Sequence, residues 1–500
     1  MDAAVAAGSD YATDGPWELP EGWTWMQLGG IVDIHDHRRR PIKSEDRQIR
    51  IAGKASSDLF PYYGATGQVG LIDGFLFDFP AILLGEDGAP FLDRQRAKAY
   101  AVDGRYWVNN HAHILTPRES AISSWLLHAL NFIDYEPHVG GTTRLKLTKA
   151  QLERITVPLA PLPEQRRIVA RVDALFAEIA EGEAALADAR KGLNTFRRAL
   201  LKAAVSGELT KDWRAANPAT ETGHDLLVRI ANERTGKAAP RGRRRADVSP
   251  LDISSLPELP NGWAWAILGD LTISGPTNGY SPKKSADGSG TLALKLTATT
   301  KGQIDLTDRA IKSLSETIPP GSDLFLKSGD LLFQRGNTPE YVGIAAVYDG
   351  PSDKYVYPDL MIRVRTATSS LTEWIWRVAN SPLGRKYMMD KASGTAGTMP
   401  KISGEILRNF PVPIPPPAEA DEILRRVSDA LAAAADTLLM LDAEAADAAR
   451  LKQSILKAAF QGYLVPQDPT DEPATALLAR LAADPPAIRG RRGRARKSDA

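Results

Sequence analysis

The sequence predicts an α+β protein: two α+β domains separated by a long antiparallel two-helix coiled coil, with an internal pseudo-twofold repeat. Three kinds of segment recur in the same order in both halves, and they lie at 18–25 and 258–265, at 157–162 and 412–417, and at 163–209 and 418–464. The segments between these landmarks do not match. A chain of 500 residues is long enough for more than one domain, and the repeat indicates how it is divided.

The first recurring segment contains two tryptophans. Glu-Leu-Pro-Glu-Gly-Trp-Thr-Trp at 18–25 recurs as Glu-Leu-Pro-Asn-Gly-Trp-Ala-Trp at 258–265. The two copies are 240 positions apart, whereas the helical runs are 255 positions apart, so the second half is longer between these landmarks. Because the flanking segments match while the segments between them differ in length, the flanks were kept and the segments between them changed.

The landmarks also set the predicted boundaries. They are a flexible tail at 1–16, a first α+β domain at 17–157, a first helical region at 158–210, a linker with a basic run at 211–257, a second α+β domain at 258–412, a second helical region at 413–481 and a basic tail at 482–500.

The first α+β domain is predicted to be rich in β-strands. Residues 97–102 and 105–109 flank Asp103-Gly104, and Asp-Gly favours the positive φ of a tight turn, so we expect a β-hairpin here. Asp87-Gly88 is a second turn signal. A short helix is expected at 120–131.

The second α+β domain is predicted to open with strands, at 292–296 and 342–348, and to continue with two helices. One helix lies near 371–379. The other begins at Ser381-Pro382, because serine is a good N-cap and proline fits the first helical position.

The long helical runs carry apolar residues at alternating spacings of four and three, which is typical of a coiled coil. In the first run the positions are Ile168, Val172, Leu175, Ile179, Gly182, Leu186, Ala189, Leu193, Phe196, Leu200 and Ala203. The same register in the second run is richer in alanine and is broken by Glu444. Helices of equal length predict an antiparallel pair; two unrelated surface helices are the alternative.

Proline-rich segments at 158–163 and 413–417 precede both runs. Proline removes a backbone donor, so we expect extended hinges that are neither helix nor central strand. A polyproline ligand for a signalling module is the alternative interpretation.

Composition excludes several classes of protein. The chain has no cysteine, which excludes disulfides, thiolate zinc sites and cysteine nucleophiles. No stretch is long and apolar enough to span a membrane, and the first fifteen residues lack the features of a signal peptide. We therefore expect a cytoplasmic protein. The net charge of +1 says nothing about a nucleic-acid partner.

The order of tryptophan segment, variable domain, proline-rich lead-in, long helix and Gly-x-Leu ending is present twice, and in the first copy the lead-in reads Pro-Leu-Pro-Glu-Gln and the ending Ser-Gly-x-Leu. This order resembles the specificity subunits of type I restriction-modification systems. The resemblance spans about 17–481, and further matching stretches lie at 62–67 with 107–113, at 329–332 with 342–343, and at 394–397 with 402–403 and 411–413. One departure is that Ala420 stands where the first lead-in has Gln165.

The resemblance implies that the α+β domains are target recognition domains, each reading one half of an asymmetric bipartite site in double-stranded DNA. It also implies that the helices set the spacing and dock two methyltransferase subunits, with restriction and translocase subunits joining the complex. S-adenosylmethionine, ATP and Mg²⁺ are then expected on those partners, and no cofactor on this chain.

Basic clusters beside aromatic or amide side chains are the candidate DNA contacts. They are Arg38, Arg39, Arg40, Lys43, Arg47, Arg50, Tyr62 and Tyr63 in the first domain, and Lys283, Lys284, Lys295, Arg335 and Asn337 in the second. A solvated charged face is the alternative for such runs. The candidate spacer and partner-binding residues are Glu164, Gln165, Ile168, Val172, Leu175, Ile179, Leu186, Leu193, Phe196, Leu200, Glu419, Ile423, Val427, Leu441, Leu451 and Ile455.

No catalytic or metal-binding residue is predicted. The histidine pairs at 35–37 and 111–113 lack a third ligand fixed by spacing. Residues 484–487, Asp-Pro-Pro-Ala, lack the aromatic ring that an amino-methyltransferase needs for a flipped base, and 235–238 lacks most of a phosphate-binding loop. A non-catalytic subunit is therefore expected; a coiled-coil scaffold with no DNA role, or a degenerate methyltransferase or nuclease, remains an alternative.

Overall fold

The computed structural model describes residues 13–236, 254, 256–282, 289–394 and 399–483. The strands are β1 (Thr24–Gln27), β2 (Val32–Ile34), β3 (Phe60–Gly64), β4 (Gly67–Ile72), β5 (Phe77–Asp78), β6 (Ala81–Gly85), β7 (Ala99–Val102), β8 (Arg105–Val108), β9 (Ala112–Pro117), β10 (Thr156–Leu159), β11 (Ala264–Ile267), β12 (Thr272–Asn278), β13 (Leu292–Leu294), β14 (Ile311–Ser313), β15 (Leu331–Gln334), β16 (Ala345–Val347), β17 (Tyr355–Val356), β18 (Met361–Thr366) and β19 (Pro411–Ile414).

The helices are α1 (Ser44–Ile51), α2 (Ser123–Phe132), α3 (Lys149–Glu153), α4 (Leu162–Val205), α5 (Lys211–Ala216), α6 (Gly223–Gly236), α7 (Leu268–Leu271), α8 (Ser369–Asn380), α9 (Pro382–Lys391), α10 (Gly404–Arg408), α11 (Pro417–Phe460) and α12 (Ala474–Ala483). This mixture confirms the predicted α+β class with two long helices. None of the helices in the described part of the chain is both long enough and apolar enough to cross a membrane.

The chain divides into two compact units that are not contiguous in sequence. The first unit comprises the described residues up to Ala187 and those from Leu441 onward, and the second comprises Asp188 to Met440. Both boundaries fall inside a long helix. Each unit therefore contains one α+β domain, the start of one long helix and the end of the other.

The first unit is built on two four-stranded sheets. One has the strand order β2-β9-β6-β7, with antiparallel neighbours. The other has the order β4-β3-β8-β5, in which β3 and β8 are parallel. A parallel pair needs a long crossover, and here the connection from β3 to β8 contains four strands.

The second unit repeats this topology although its sequence does not match. Its four-stranded sheet has the order β12-β18-β15-β16, again with antiparallel neighbours. Its other sheet has the order β14-β13-β17, with β13 and β17 parallel. Strand for strand the two units correspond, except that the second has no described counterpart of β5.

The expected hairpin around Asp103-Gly104 is wrong. Gly104 has a φ of 71° and β7 and β8 flank it as predicted, but the two strands do not pair with each other. Instead, β7 pairs with β6 in one sheet and β8 pairs with β3 and β5 in the other. The turn chemistry was identified correctly, whereas the partners were decided by tertiary packing.

The proline-rich lead-ins are not free hinges. Residues of the first form β10, which pairs antiparallel with β1, and residues of the second form β19, which pairs with β11. Pro158 and Pro413 lie opposite Trp25 and Trp265 in these two-stranded sheets. A two-stranded sheet has only edge strands, so proline is tolerated there.

The prediction of two long helices of equal length is confirmed, since α4 and α11 each contain 44 residues. Both end before a glycine in the left-handed region, Gly207 with a φ of 73° and Gly462 with a φ of 75°. In the first unit, Arg167 pairs with Asp471 (2.7 Å) and Glu183 with Lys452 (2.8 Å), so the start of α4 runs antiparallel to the segment that ends α11.

The buried face of the long helices departs from the predicted seam. Phe196 and its counterpart Leu451 are exposed, by 45% and 51%. Near the C-terminal ends of the helices the buried residues are Ala204 and Ala459, both 0% exposed. Each lies one position after the residue of the predicted seam. A straight α-helix has 3.6 residues per turn, so a stripe with a period of 3.5 drifts off its buried face.

Each α+β domain is joined to its long helix by two tryptophans and a carboxylate. In the first unit, Trp23 Nε1 donates to Glu164 (3.0 Å) and Trp23 packs edge-on against Trp125, with ring centroids 5.5 Å apart. In the second, Trp263 donates to Glu419 (2.9 Å) and packs against Trp374 (5.9 Å).

Candidate nucleic-acid interface

One loop is held by the same pattern of backbone hydrogen bonds in both units. It follows β6 in the first unit and β15 in the second. In the second unit it follows β15: the amide of Arg335 donates to the carbonyl of Leu360 (2.7 Å), and the amide of Ile402 donates to the carbonyl of Arg335 (2.8 Å). Gly336 forms a bridge with Lys401, which also bridges Ser393. The loop is thus held between two other segments of its unit.

In the first unit the equivalent loop follows β6. The amide of Glu86 donates to the carbonyl of His111 (2.8 Å), and the amide of Leu147 donates to the carbonyl of Glu86 (2.8 Å). Asp87 forms a bridge with Lys146, as Gly336 does with Lys401. This hydrogen-bond pattern aligns Glu86 with Arg335, Asp87 with Gly336, and Gly88 with Asn337.

The side chains on the second unit's loop are polar and half-buried. The guanidinium of Arg335 makes one long contact, from Nη1 to the carbonyl of Asp359 (3.4 Å). Asn337 is occupied within the loop: it donates to Gln334 (2.6 Å) and accepts from the amide of Thr338 (2.8 Å). Arg335 therefore has more free hydrogen-bonding capacity than Asn337.

The side chains on the first unit's loop are acidic and ion-paired. Glu86 is 9% exposed and pairs with Arg39 (2.5 Å) and Lys146 (3.2 Å). Asp87 pairs with Arg144 (2.5 Å), whose side chain is 57% exposed. Each carboxylate is covered by a basic side chain, so this surface does not present bare negative charge to DNA.

Asp36, between the first pair of histidines, and His113, of the second pair, lie near this loop, but the arrangement does not suit a metal. Ligand atoms of Asp36, Glu86 and His113 lie within 4.8 Å of one another. His113 Nε2 lies 2.9 Å from the carbonyl of Leu147, which can only accept, and Nδ1 lies 2.6 Å from Asp36. Both ring nitrogens therefore already have a hydrogen-bond partner within the protein, and neither is free to bind a metal.

The Asp36 carboxylate is held ionised in this cluster. Burial opposes its ionisation, but the hydrogen bond and charge of His113 and the charge of Arg39 outweigh burial and lower the pKa of Asp36 below its ordinary value. Arg39 also donates to the carbonyl of Ala112 (2.8 Å). Arg39, a candidate DNA contact, is thus a structural cross-link between the basic run and β9.

Three residues of the predicted basic run in the first unit are exposed. Arg38 lies over the rings of Phe77 (4.9 Å) and Phe79 (5.5 Å) and donates to the carbonyl of Leu76. Arg40 and Lys43 are exposed as well. Their place at the surface leaves the prediction that they contact DNA open to test.

Burial contradicts the expectation that Tyr62 faces a DNA groove. Tyr62 is 2% exposed, and its hydroxyl accepts from the amide of Ile42 (2.9 Å). Arg47 is 8% exposed and lies over the Tyr62 ring at 4.6 Å. Arg47 and Tyr62 therefore contact each other inside the domain, where they hold α1 against β3.

Arg50 and Tyr63 are partly withdrawn from the surface. Arg50 pairs with Asp73 (2.6 Å) and lies over Trp107 (5.3 Å). Hydrogen bonds from Lys54 and Arg50 lower the pKa of Asp73. Tyr63 is half-buried among the rings of Tyr100 and Tyr106, so these residues support the second sheet more directly than they offer a free edge.

In the second unit one candidate can be placed besides the loop residues discussed above. Lys283 and Lys284 lie outside the described residues, as do the basic runs at 241–245 and 489–497 and the segment 484–487. Lys295 is half-buried and its Nζ donates to the carbonyl of Arg309 (2.8 Å).

Nine of the predicted partner-binding residues are buried, so they cannot form an exposed docking surface, and three of the nine are polar. Glu164 is 2% exposed, Gln165 1% and Glu419 1%. Gln165 donates to the carbonyl of Ala160 (2.8 Å), so it fixes the turn into α4. Among the others, Ile168, Val172, Leu200, Ile423, Val427 and Ile455 are buried, and Leu175, Ile179, Leu186, Leu193 and Leu441 are half-buried.

Sequence reasoning missed the residues that frame the two loops. Lys146 and Lys401 are 255 positions apart and occupy equivalent bridges, so the repeat itself was the signal that could have identified them. Arg385 on α9 was also missed. It donates to the carbonyls of Val342 (2.7 Å) and Glu340 (2.9 Å) at the far side of the loop.

Comparison with known proteins gives a consistent set of relatives. A family model described as the type I restriction modification DNA specificity domain matches residues 20–186. The EcoKI type I restriction enzyme specificity subunit of Escherichia coli K12 is 29% identical over 403 residues, which cover 77% of this chain and 76% of that protein. The EcoDI specificity subunit of Escherichia coli is 26% identical over 499 residues, covering 96% and 99%.

A solved structure has a similar fold. It is described by the words "complex assembly and conformational transition of the type I R-M system", and the match has a TM-score of 0.56 over 90% of this chain and 100% of that chain. At 19% identity this similarity concerns the fold alone.

Proposed function

Because the chain belongs to the family of type I restriction-modification specificity subunits, we propose that it reads a bipartite DNA sequence, one half with each unit. The observation that carries the proposal is the repeated frame with exchanged side chains. Both units have the same sheet order, but the loop after the third strand carries Glu86 and Asp87 in one and Arg335 and Asn337 in the other. Unlike side chains on one frame suit unlike half-sites.

The long helices are proposed to fix the distance between the half-sites and to dock two methyltransferase subunits. Dimeric DNA readers place equivalent elements at a set separation, and a tandem repeat provides two equivalent sets of elements in one chain. Restriction and translocase subunits are proposed to join the same complex. The chain itself catalyses no step; S-adenosylmethionine, ATP and Mg²⁺ are assigned to the partner subunits, and the complex to the cytoplasm, where the DNA is.

Replacing one domain tests the modular reading. The chain is combined with its methyltransferase subunit, and the bound sequences are selected from random duplex DNA before and after residues 30–150 are replaced by the corresponding segment of another family member. We expect one half of the target to change and the other half to stay. A change in both halves, or no selected sequence with either protein, would contradict the proposal.

The spacer role has a separate test. Deleting seven residues from α4 and the seven equivalent residues from α11 removes about 10 Å of helix, at 1.5 Å per residue. We expect a shorter gap between two unchanged half-sites. A control deletes seven residues of the 237–253 segment, which lies between the described parts of the chain, and should leave the gap as it is.

A further inference from the structure

The loop after β15 has the features of a base-reading element. Arg335 occupies the same position in the hydrogen-bond frame as Glu86 of the first unit, so the frame itself does not require a particular side chain there. Glu86 is buried and ion-paired, whereas Arg335 is only half-buried at the equivalent position. Arginine is the residue that pairs with guanine in the major groove.

The backbone of Arg335 is fixed, whereas its guanidinium has unused hydrogen-bond donors. Its amide and carbonyl are both bonded, to Leu360 and Ile402, so its Cα position is determined by two other segments. Its guanidinium makes only the 3.4 Å contact to the carbonyl of Asp359, and no carboxylate among the described residues pairs with it. A guanidinium with unused donors can form the bidentate contact that distinguishes guanine from other bases.

Two side chains hold the loop at its ends, the buried Gln334 and the half-buried Arg385. Gln334, at 0% exposure, donates to the hydroxyl of Thr299 (3.0 Å) and accepts from Asn337 (2.6 Å). At the other end Arg385 donates to two backbone carbonyls of the loop, those of Glu340 and Val342. Burial lowers the pKa of Arg385. A guanidinium that donates to two carbonyls of one loop restricts the backbone between them.

On the basis of the proposed function, we propose that Arg335 reads a guanine in the half-site of the second unit. Arg385 is then a positioning residue that holds the loop from which Arg335 extends. Arg385 does not itself touch DNA in this proposal. Its two hydrogen bonds restrict the loop, and a restricted loop presents the Arg335 fork at one angle.

The test of Arg335 uses the full chain with its methyltransferase subunit and a library of random duplex DNA. Arg335→Lys keeps the charge but loses the planar fork, so we expect preference for guanine at one position to fall by about 10- to 100-fold. Arg335→Gln should shift that position toward adenine, because glutamine pairs with adenine. The matched control is Arg309→Gln, an exposed arginine of the same unit, which should leave every position unchanged.

Other outcomes would overturn the assignment. If Arg335→Lys keeps the preference, or if Arg335→Gln weakens all sequences equally, Arg335 contacts phosphate or nothing. If the unchanged protein selects a bipartite sequence and the variants select the same sequence with the same preference at every position, only this inference fails. If the unchanged protein selects no sequence, the proposed function fails as well.

The test of Arg385 compares Arg385→Met with Arg385→Lys in the same selection. We expect Arg385→Met to broaden the position read by Arg335 and to leave the other half-site intact, while Arg385→Lys, which can still donate to the carbonyls, restores the preference. A purely structural role would instead lower the melting temperature and weaken all positions together, in which case the proposal for Arg385 is wrong. Arg385→Lys and the Arg335 variants remain decisive if Arg385→Met does not fold.

Discussion

The two units use the same tryptophan–carboxylate pair to attach a domain to a helix, but they surround the carboxylate differently. In the second unit Glu419 accepts from Trp263 and from the hydroxyl of Thr210 (2.7 Å), and it forms an ion pair with Arg214. The charge of the buried carboxylate is therefore balanced, and several donors share it.

In the first unit the carboxylate has less support. Glu164 accepts from Trp23 through one oxygen, and its other oxygen has no hydrogen-bond partner among the described residues. Burial raises the pKa of Glu164 above its ordinary value, and it outweighs the hydrogen bond from Trp23 and the smaller opposing effects of the Arg167 charge and the Gln467 side chain. A carboxyl group in such surroundings is less costly when it carries a proton.

The repeat shows how the difference arose. Val465 and Pro469 lie 255 positions after Thr210 and Arg214 and can supply neither the hydroxyl nor the guanidinium. One ancestral joint has thus become an ion-paired joint in the second unit and a weakly paired one in the first. The same tryptophan–carboxylate contact therefore cannot be given one stabilisation free energy in both units.

The largest expected effect separates the two joints by truncation. Glu419→Ala removes the acceptor of Trp263 and Thr210 and the ion-pair partner of Arg214, which keeps its hydrogen bond to the carbonyl of Gly207. Because Arg214 is also partly exposed, we expect a loss of about 2–4 kcal/mol in the free energy of unfolding. Glu164→Ala removes one hydrogen bond and should cost about 1–2 kcal/mol. Denaturant unfolding followed by hydrogen exchange of the β11 and β1 amides measures both losses. Equal losses of unfolding free energy in the two variants would contradict the difference between the two joints.

Removing the cation alone should make the second joint resemble the first. Arg214→Met takes away the ion pair but keeps the hydrogen bonds from Trp263 and Thr210, so we expect a loss of about 1–3 kcal/mol in the free energy of unfolding. The matched control is Arg229→Met, whose side chain is 55% exposed and pairs with Glu221. That change should stay within about 0.5 kcal/mol.

The pH dependence of stability should differ between wild type and Glu164→Gln. The pKa of Glu164 is raised in the folded state, so folding binds a proton more tightly, and the resulting stabilisation is present at low pH and is lost as pH rises through the folded-state pKa. The glutamine still accepts from Trp23 but does not titrate. Unfolding free energies measured from pH 4 to 8 should therefore show wild type losing ground to the variant as pH rises. A flat difference would show that Glu164 is not perturbed.

The smallest difference between the two units is expected at equivalent positions with the same burial in both copies. Phe196 and Leu451 are equivalent positions that are both exposed, so Phe196→Ser and Leu451→Ser should each change the free energy of unfolding by less than about 0.5 kcal/mol. Ile168→Ala and Ile423→Ala, at equivalent buried positions, should each cost about 2–4 kcal/mol. Thermal unfolding of the four variants would show whether the buried face follows the structure or the predicted seam.

Local signals in the sequence predicted local structure well. The helix at 123–132, the start of α9 after Ser381 and the equal lengths of α4 and α11 follow from caps and periodicity, which act within a few residues. The hairpin at Asp103-Gly104 failed because strand partners are chosen by tertiary packing.

The candidate interface was predictable only in part, for a similar reason. Arg335 and Asn337 were identified from residue type on a loop, and they lie on one. The burial of Tyr62 depends on which elements cover its strand, which no short motif specifies. Lys146 and Arg385 reach their loops only because segments distant in sequence come together. Their proposed roles, like those of the exposed basic residues, stay predictions.

The central claim is that each unit reads its own half-site on a shared frame. The most direct measurement replaces residues 258–412 with a second copy of 17–157, combines the chimaera with its methyltransferase subunit, and selects bound sequences from random duplex DNA. We predict a symmetric target whose two halves both match the first half-site of the unchanged protein. A chimaera that folds and still selects the original asymmetric target would contradict the account.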